Sequence, residues 1–340
     1  MKKVISFIFL LSMSFILTSC TNENLNEDFS VAMVTDVGGI NDQSFNTSAW
    51  EGLKQLSNDK GIKVNYLESK QSTDYVTNLD SFADQGYNLI WAIGFSMSDA
   101  VLNAAAANLD INYAIADNSY GDDTPSNVTG VMFVSEQSSF LVGYIAGKTT
   151  KTNKVGFVGG ISSSIIDQFE YGYRAGVDYA AKELGKDIKT SIQYIESFND
   201  ATKGKATASK MISDGCDIIF HAAGGAGVGV IEAAKEANKY AIGADRDQAY
   251  LAPNNVLTSA LKKVDKAVIL VTNDAINGNK IGGKTVTYGL KEDCVGIPES
   301  NPNMDHKVYE DALKIQDKII DGEIIPPGNE SEYLKYLYFL

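Results

Sequence analysis

Cysteine is scarce in this chain of 340 residues: there are three, and Cys216 and Cys294 lie far apart with no Cys or His at metal-ligand spacing. A disulfide scaffold and a zinc site are therefore not expected, and both residues read as small buried hydrophobes. Proline is nearly as rare, at 6 against 30 Gly, while 44% of residues are hydrophobic and 21% charged. These proportions exclude collagen-like and disordered chains. Positive charge is also in deficit. Lys plus Arg number 29 against 43 for Asp plus Glu, a formal charge of -14, so the surface repels the phosphates of nucleic acid, and no nucleic-acid partner is expected. At roughly 100 to 200 residues per domain, the length implies two domains, each able to bury a core.

The one long apolar run is at the start. Lys2 and Lys3 precede a mostly apolar stretch over 4–17, shorter than the roughly 20 residues that a spanning helix needs, so 1–19 reads as a secretory signal. It ends in Leu17-Thr18-Ser19-Cys20, which resembles the bacterial lipobox, whose cysteine receives diacylglycerol and becomes the first residue after cleavage. Cys20 is the expected lipidation site, 20–28 a polar tether, and the membrane a partner through the lipid anchor. Cleavage would remove two lysines and no acid, leaving the mature chain more acidic still.

From Phe29 onward, short β-rich runs alternate with helical periodicity. Strands are expected at 30–35, 63–67, 89–93, 111–116 and 128–134, with helices near 44–58, 74–85 and 98–108 between them. Little polar alternation within the strands indicates parallel sheets covered on both faces. The same grammar restarts at Lys154, with strands at 154–158, 191–195, 217–220 and 240–243. The later elements, including strands at 256–259, 286–288 and 295 and helices near 265–277 and 307–321, are too few for a third domain and must complete the two lobes. The expected fold is thus α/β, with two doubly wound parallel-sheet lobes joined by several crossing segments. Lobe 1 takes 29–134 plus about 256–290, and lobe 2 takes 135–255 plus about 291–325. Ligands of open parallel sheets bind outside the carboxyl ends of the strands, so the cleft between the lobes is the expected site.

The first strand is followed by Asp36-Val37-Gly38-Gly39-Ile40-Asn41-Asp42-Gln43-Ser44-Phe45-Asn46. Asp42 or Ser44 can cap the next helix. Phe45 falls on the helix stripe, where core packing accounts for it, and also at the mouth of the lobe, where a ligand can reach it. Neither GxxxxGK[ST] nor GxGxxG follows the strand, which argues against a nucleotide phosphate loop. Asp117 directly follows the fourth strand, positioned either to accept hydrogen bonds from a ligand or to form a turn. Phe198 lies in the loop Ser197-Phe198-Asn199-Asp200, where an aromatic has little core to enter and can stack on a ligand. Phe169, on a helical stripe, reads as core. After the strand at 217–220, the glycines of Gly224-Gly225-Ala226-Gly227-Val228-Gly229 let the backbone approach a ligand closely. Asp245 and Lys262 end two further strands; they either pair across the cleft or stand apart as a solvated lysine and a surface aspartate.

Together, Asp36-x-Gly-Gly-x-x-Asp42-x-Ser44-Phe45-Asn46, Asp117-Asn118, Ser197-Phe198-Asn199-Asp200, Ala222-Ala223-Gly224, Gly243-Ala244-Asp245-Arg246-Asp247-Gln248 and Ser259-Ala260-Leu261-Lys262 resemble the basic membrane protein family of bacterial lipoproteins, which includes purine nucleoside receptors. The resemblance runs from about 29 to 321. It implies a type I periplasmic-binding-protein fold and a role as the substrate-binding subunit of an ABC importer, with permease and ATPase subunits as partners and no cofactor. It also implies that Phe45 and Phe198 sandwich a base, that Asp117 faces it, and that Asp245 and Lys262 hold ribose hydroxyls. Asp36 and Asn46 fall at first-lobe polar contacts and Gly225 at a second-lobe backbone contact. Two features depart from the family pattern: Ser162, Ser163 and Ser164 stand where a proline is common, and Arg246 separates Asp245 from Asp247.

The chemistry of a nucleoside, an apolar base with two faces and a ribose edge with vicinal hydroxyls, matches aromatic rings combined with charged hydrogen-bonding groups. The expected function is capture of nucleosides, purines foremost, by a monomeric lipoprotein on the extracytoplasmic side of the cell membrane. A sugar or another small polar solute is the alternative. An enzyme acting on nucleosides, with Asp36, Asp42 and Asp117 as imagined metal ligands, is the remote one, and no catalytic residue is assigned.

Overall fold

The computed structural model describes residues 29–299 and 302–340; the expected signal segment, tether and Cys20 lie outside them. The first lobe opens with strand β1 (Ser30–Thr35), helix α1 (Phe45–Lys60), β2 (Lys63–Leu67), α2 (Asp74–Asp84), β3 (Leu89–Ile93), α3 (Ser98–Ala107), β4 (Asn112–Ala116) and β5 (Val128–Phe133). Helix α4 (Ser135–Thr149) then leads to β6 (Lys154–Gly159), α5 (Ser164–Leu184), β7 (Lys189–Tyr194), α6 (Ala201–Ser213), β8 (Ile218–Ala222), α7 (Gly227–Glu236), β9 (Tyr240–Asp245) and β10 (Val256–Lys262). The chain finishes through α8 (Val264–Ile276), β11 (Lys284–Tyr288), the short β12 (Val295–Gly296), α9 (His306–Ile320) and α10 (Glu330–Phe339).

Two six-stranded sheets result, ordered β11-β5-β4-β3-β1-β2 and β12-β10-β9-β8-β6-β7. All described pairings are parallel except β10 with β12. The two orders are the same path walked twice. The central strands are largely apolar because helices cover both faces: every residue of β3, Leu-Ile-Trp-Ala-Ile, is buried.

The strand over 256–262 corrects one expectation. It belongs to the second sheet, parallel to β9 and antiparallel to β12, rather than to the first lobe. The parallel register Ser259↔Gly243 and Ala260↔Ala244 makes it the fifth strand of that sheet; the chain crosses only afterwards, at Lys263. In all, it crosses three times, near Val134, at Lys263 and over 289–294. The crossings are tied to one another by backbone bonds from Val134 N–H to Tyr288 O at 2.9 Å and from Lys263 N–H to Cys294 O at 2.8 Å.

At each of the first two crossings a helix changes lobe. Helix α4 packs on α5 and α9, and α8 packs on α1, where Thr272 accepts a hydrogen bond from the buried Trp91 Nε1 at 3.1 Å. The α4–α5 contact is close because it is made across glycines. A Cβ on Gly143 would meet Tyr173 O at 2.1 Å, and one on Gly176 would meet Phe140 O at 2.0 Å. Of the serines at 162–164, Ser163 is the N-cap of α5 and accepts from Ile166 N–H. The C-terminal α10 packs on α5 through Tyr333, whose hydroxyl donates to Asp178 at 2.6 Å.

Candidate functional site

The carboxyl ends of both sheets face one cavity, lined by residues of both lobes. Seven of the eight ligand-binding residues expected from sequence line it: Asp36, Phe45, Asn46, Asp117, Phe198, Asp245 and Lys262. Gly225 does not. Its neighbour Gly224 takes the lining position, in the left-handed conformation at φ 52°, while a Cβ on Gly225 would face Phe198 O and Asp42. The cavity also takes in Asp42, Gly94, Phe95, Ile165, Ile166 and Phe169. Phe169 is both core and cavity wall, being 2% exposed and on the site side of α5. Its helical stripe carried no signal separating the two.

Asp117 and Asp245 occupy corresponding places, one just after β4 and the other at the end of β9, and both have left-handed backbones with φ of 63° and 67°. Non-glycine residues rarely adopt this conformation, Asp and Asn being the tolerant exceptions, and it concentrates at functional sites. Their partners differ from the expected pairing. Lys262 Nζ donates to Asp117 Oδ2 at 2.6 Å, not to Asp245, and so links the second sheet to the first. Side chains at both ends are buried, 2% and 7% exposed. Three rings surround the ammonium, Phe45 at 5.0 Å, Phe169 at 5.1 Å and Phe133 at 5.4 Å, which partly replaces lost hydration by cation–π attraction.

Asp245 is instead reached across the cleft by the Ser44 hydroxyl. Ser44 is free to do this because Asp42 caps α1 in its place, accepting the backbone N–H groups of Ser44, Asn46 and Thr47 at 2.8–3.0 Å. The Asn46 amide donates to Asp36 Oδ1 at 2.8 Å and Asp42 Oδ2 at 3.1 Å, and its buried Oδ1 has no protein partner. Four carboxylates and one amide oxygen thus stand against a single cation. Burial pushes the Asp36 carboxyl up to about 6, opposed by its bonds from Asn46 and Gly38. Burial likewise pushes Asp245 up to about 6, opposed by Lys262 and Ser44 and reinforced by Asp42 and Asp117. A site so rich in acceptors suits a ligand that brings hydroxyl or N–H donors, and it disfavours an anionic one. Among the described residues, no group of three or more His, Cys, Asp or Glu is arranged to hold a metal ion.

These shifts have a definite sign. A carboxyl near 6 in the folded protein and near 3.8 in the unfolded chain binds its proton more tightly when folded, so it favours folding below about 3.8, and that contribution is lost as pH rises through 6. The ligand-free double variant Asp36→Asn/Asp245→Asn should therefore gain melting temperature relative to the wild type as pH rises from 4 to 7, by on the order of a few degrees. Differential scanning fluorimetry across that range checks this; a constant difference would contradict it.

Comparison with known proteins gives the site its context. A family model described as ABC transporter substrate-binding protein PnrA-like matches residues 29–330. Basic membrane protein A of Borreliella burgdorferi is 42% identical over 341 residues, covering 99% of each chain. Basic membrane protein D of the same species is 40% identical over 98% of this chain and 97% of its own. Among solved structures, a solute-binding protein of an ABC transporter system from Aeropyrum pernix K1 superposes with a TM-score of 0.82 at 27% identity, over 90% of this chain and 96% of that one. A solute-binding protein from Conexibacter woesei shares the fold at 20% identity and a TM-score of 0.71, over 88% and 99% of the respective chains. The two-sheet architecture is that of type I periplasmic-binding proteins. The chain belongs to the PnrA-like family of ABC-transporter substrate-binding proteins, to which the basic membrane proteins are its relatives.

Proposed function

We propose that the cleft captures nucleosides, purine nucleosides foremost, for import through an ABC permease and its ATPase, and that Cys20 carries the lipid that anchors the protein on the extracytoplasmic side of the cell membrane. The observation that carries the ligand reading is the pairing of aromatic walls from both lobes with an acceptor-rich floor. Phe45 and Phe95 enter from the first lobe, and Phe169 and Phe198 from the second. A flat base has two apolar faces for such rings, and ribose hydroxyls and base N–H groups can donate to the remaining acceptor capacity of Asp36, Asp117, Asp245 and Asn46 Oδ1. Among the described residues, Lys262 is the one cation lining the cavity, and it is engaged with Asp117. A phosphate would therefore meet repulsion rather than a cradle.

Titration calorimetry with adenosine, guanosine, guanosine 5′-monophosphate and free ribose tests the reading. Nucleosides should bind and the monophosphate should bind at least about tenfold more weakly, a cost of roughly 1.4 kcal/mol. Phe45→Ala and Phe198→Ala should each lose roughly five- to a hundredfold in nucleoside affinity, with little change in base preference, because every base offers a π-face. Tight ribose binding indifferent to both substitutions would replace the nucleoside with a sugar, and turnover of nucleoside would establish an enzyme. For the anchor, wild type should partition into the detergent phase and Cys20→Ala into the aqueous one; equal partitioning would refute lipidation at Cys20.

A further inference from the structure

The loop at 246–250, directly after Asp245, supplies none of the cavity lining, yet three of its side chains reach across to the first lobe. Arg246 Nη2 donates to both carboxylate oxygens of Glu51 on α1, at 3.0 and 2.8 Å. Gln248 Nε2 donates to the backbone carbonyl of Gln43 at 2.9 Å. The Tyr250 hydroxyl donates to Gln43 Oε1 at 2.6 Å. Two of the three therefore land on one residue, and Gln43 is itself held in the left-handed region at φ 57°, with its N–H bonded to Thr47 Oγ1 at 3.0 Å.

The lobe-2 side of this contact is equally fixed. Gln248 is fully buried, and its Oε1 accepts from Ala244 N–H at 3.1 Å and lies 2.9 Å from His221 Nε2. Since that oxygen only accepts, Nε2 of His221 carries the proton and the imidazole is the donor. A buried, uncharged histidine thus aims the amide of Gln248 at the other lobe. We propose that Arg246, Gln248 and Tyr250 form a latch that holds the lobes shut and sets the lifetime of the ligand complex without touching the ligand. They are positioning residues: ligand release requires the lobes to part, parting breaks all three contacts, and capture by the open form precedes them. The inference rests on the proposed function, capture of a ligand in the cleft between the two lobes.

Stopped-flow displacement of adenosine from the full-length protein, paired with solution scattering of the ligand-free protein, tests the latch. Arg246→Ala and Tyr250→Phe, both at partly or largely exposed positions, should each speed dissociation by roughly three- to tenfold without slowing association. The exchanged pair Glu51→Arg/Arg246→Glu should recover most of the loss from Arg246→Ala, which a general effect on folding would not. Unchanged dissociation in both single variants would overturn the latch. A wild type that binds neither adenosine nor guanosine would instead sink the functional reading. The latch is then decided by scattering: combining Arg246→Ala with Tyr250→Phe must enlarge the ligand-free radius, and an unchanged radius would overturn it.

Discussion

A lysine ammonium and an aspartate carboxylate contributed by different sheets can share a buried site only when the sheets are brought together around them. Lys262 and Asp117 do this at 2.6 Å, and much else in the cleft follows from it. Removing either partner would leave an uncompensated buried charge, at a cost of roughly 3–5 kcal/mol, although the intact pair contributes far less than that to net stability. The rings of Phe45, Phe133 and Phe169 close around the ammonium. Asp245, left without that lysine, takes the hydroxyl of Ser44, and burial holds its carboxyl above the usual range. The site is consequently short of donors. That shortage is the strongest physical description of what the ligand must bring.

Most of the architecture was legible because parallel strands buried on both faces read as short apolar runs, β3 and β8 among them. Helix α4 was not. Eleven of its residues are buried, since it lies between α5, α9 and the second sheet, so no polar face marks its period. The lobe of β10 was misassigned for a related reason: a strand's sequence reports burial, not which sheet it joins, and the crossing falls one residue after its end. In the site, aspartates after strands were visible as hydrogen-bond acceptors or turn formers and glycines as points of close backbone approach; their left-handed backbones emerge only in the structure. Phe169 was not, because a helix-stripe aromatic can wall a cavity and still be core. Gly225 and Gly224 are adjacent and alike in sequence; only the backbone turn at Gly224 decides which lines the cavity.

The apolar C-terminal segment is only partly explained by packing. Tyr333 is buried against α5, whereas Leu334, Tyr338 and Phe339 remain exposed at 60%, 82% and 83%. Tyr333 anchors α10 to α5 through its bond to Asp178. Arg246, by contrast, has a structural counterpart in Glu51, a contact between the lobes rather than with the cavity.

On the proposed reading of the cleft, the Asp117–Lys262 pair, joined at 2.6 Å, meets the ligand as one unit. A double-mutant cycle in guanosine affinity, with Asp117→Asn, Lys262→Met and the two combined, measures this directly by calorimetry. The account predicts that the combined variant loses little more than either single one, a coupling on the order of 2 kcal/mol or more. Losses that simply add would contradict it, showing that the two side chains serve the ligand separately.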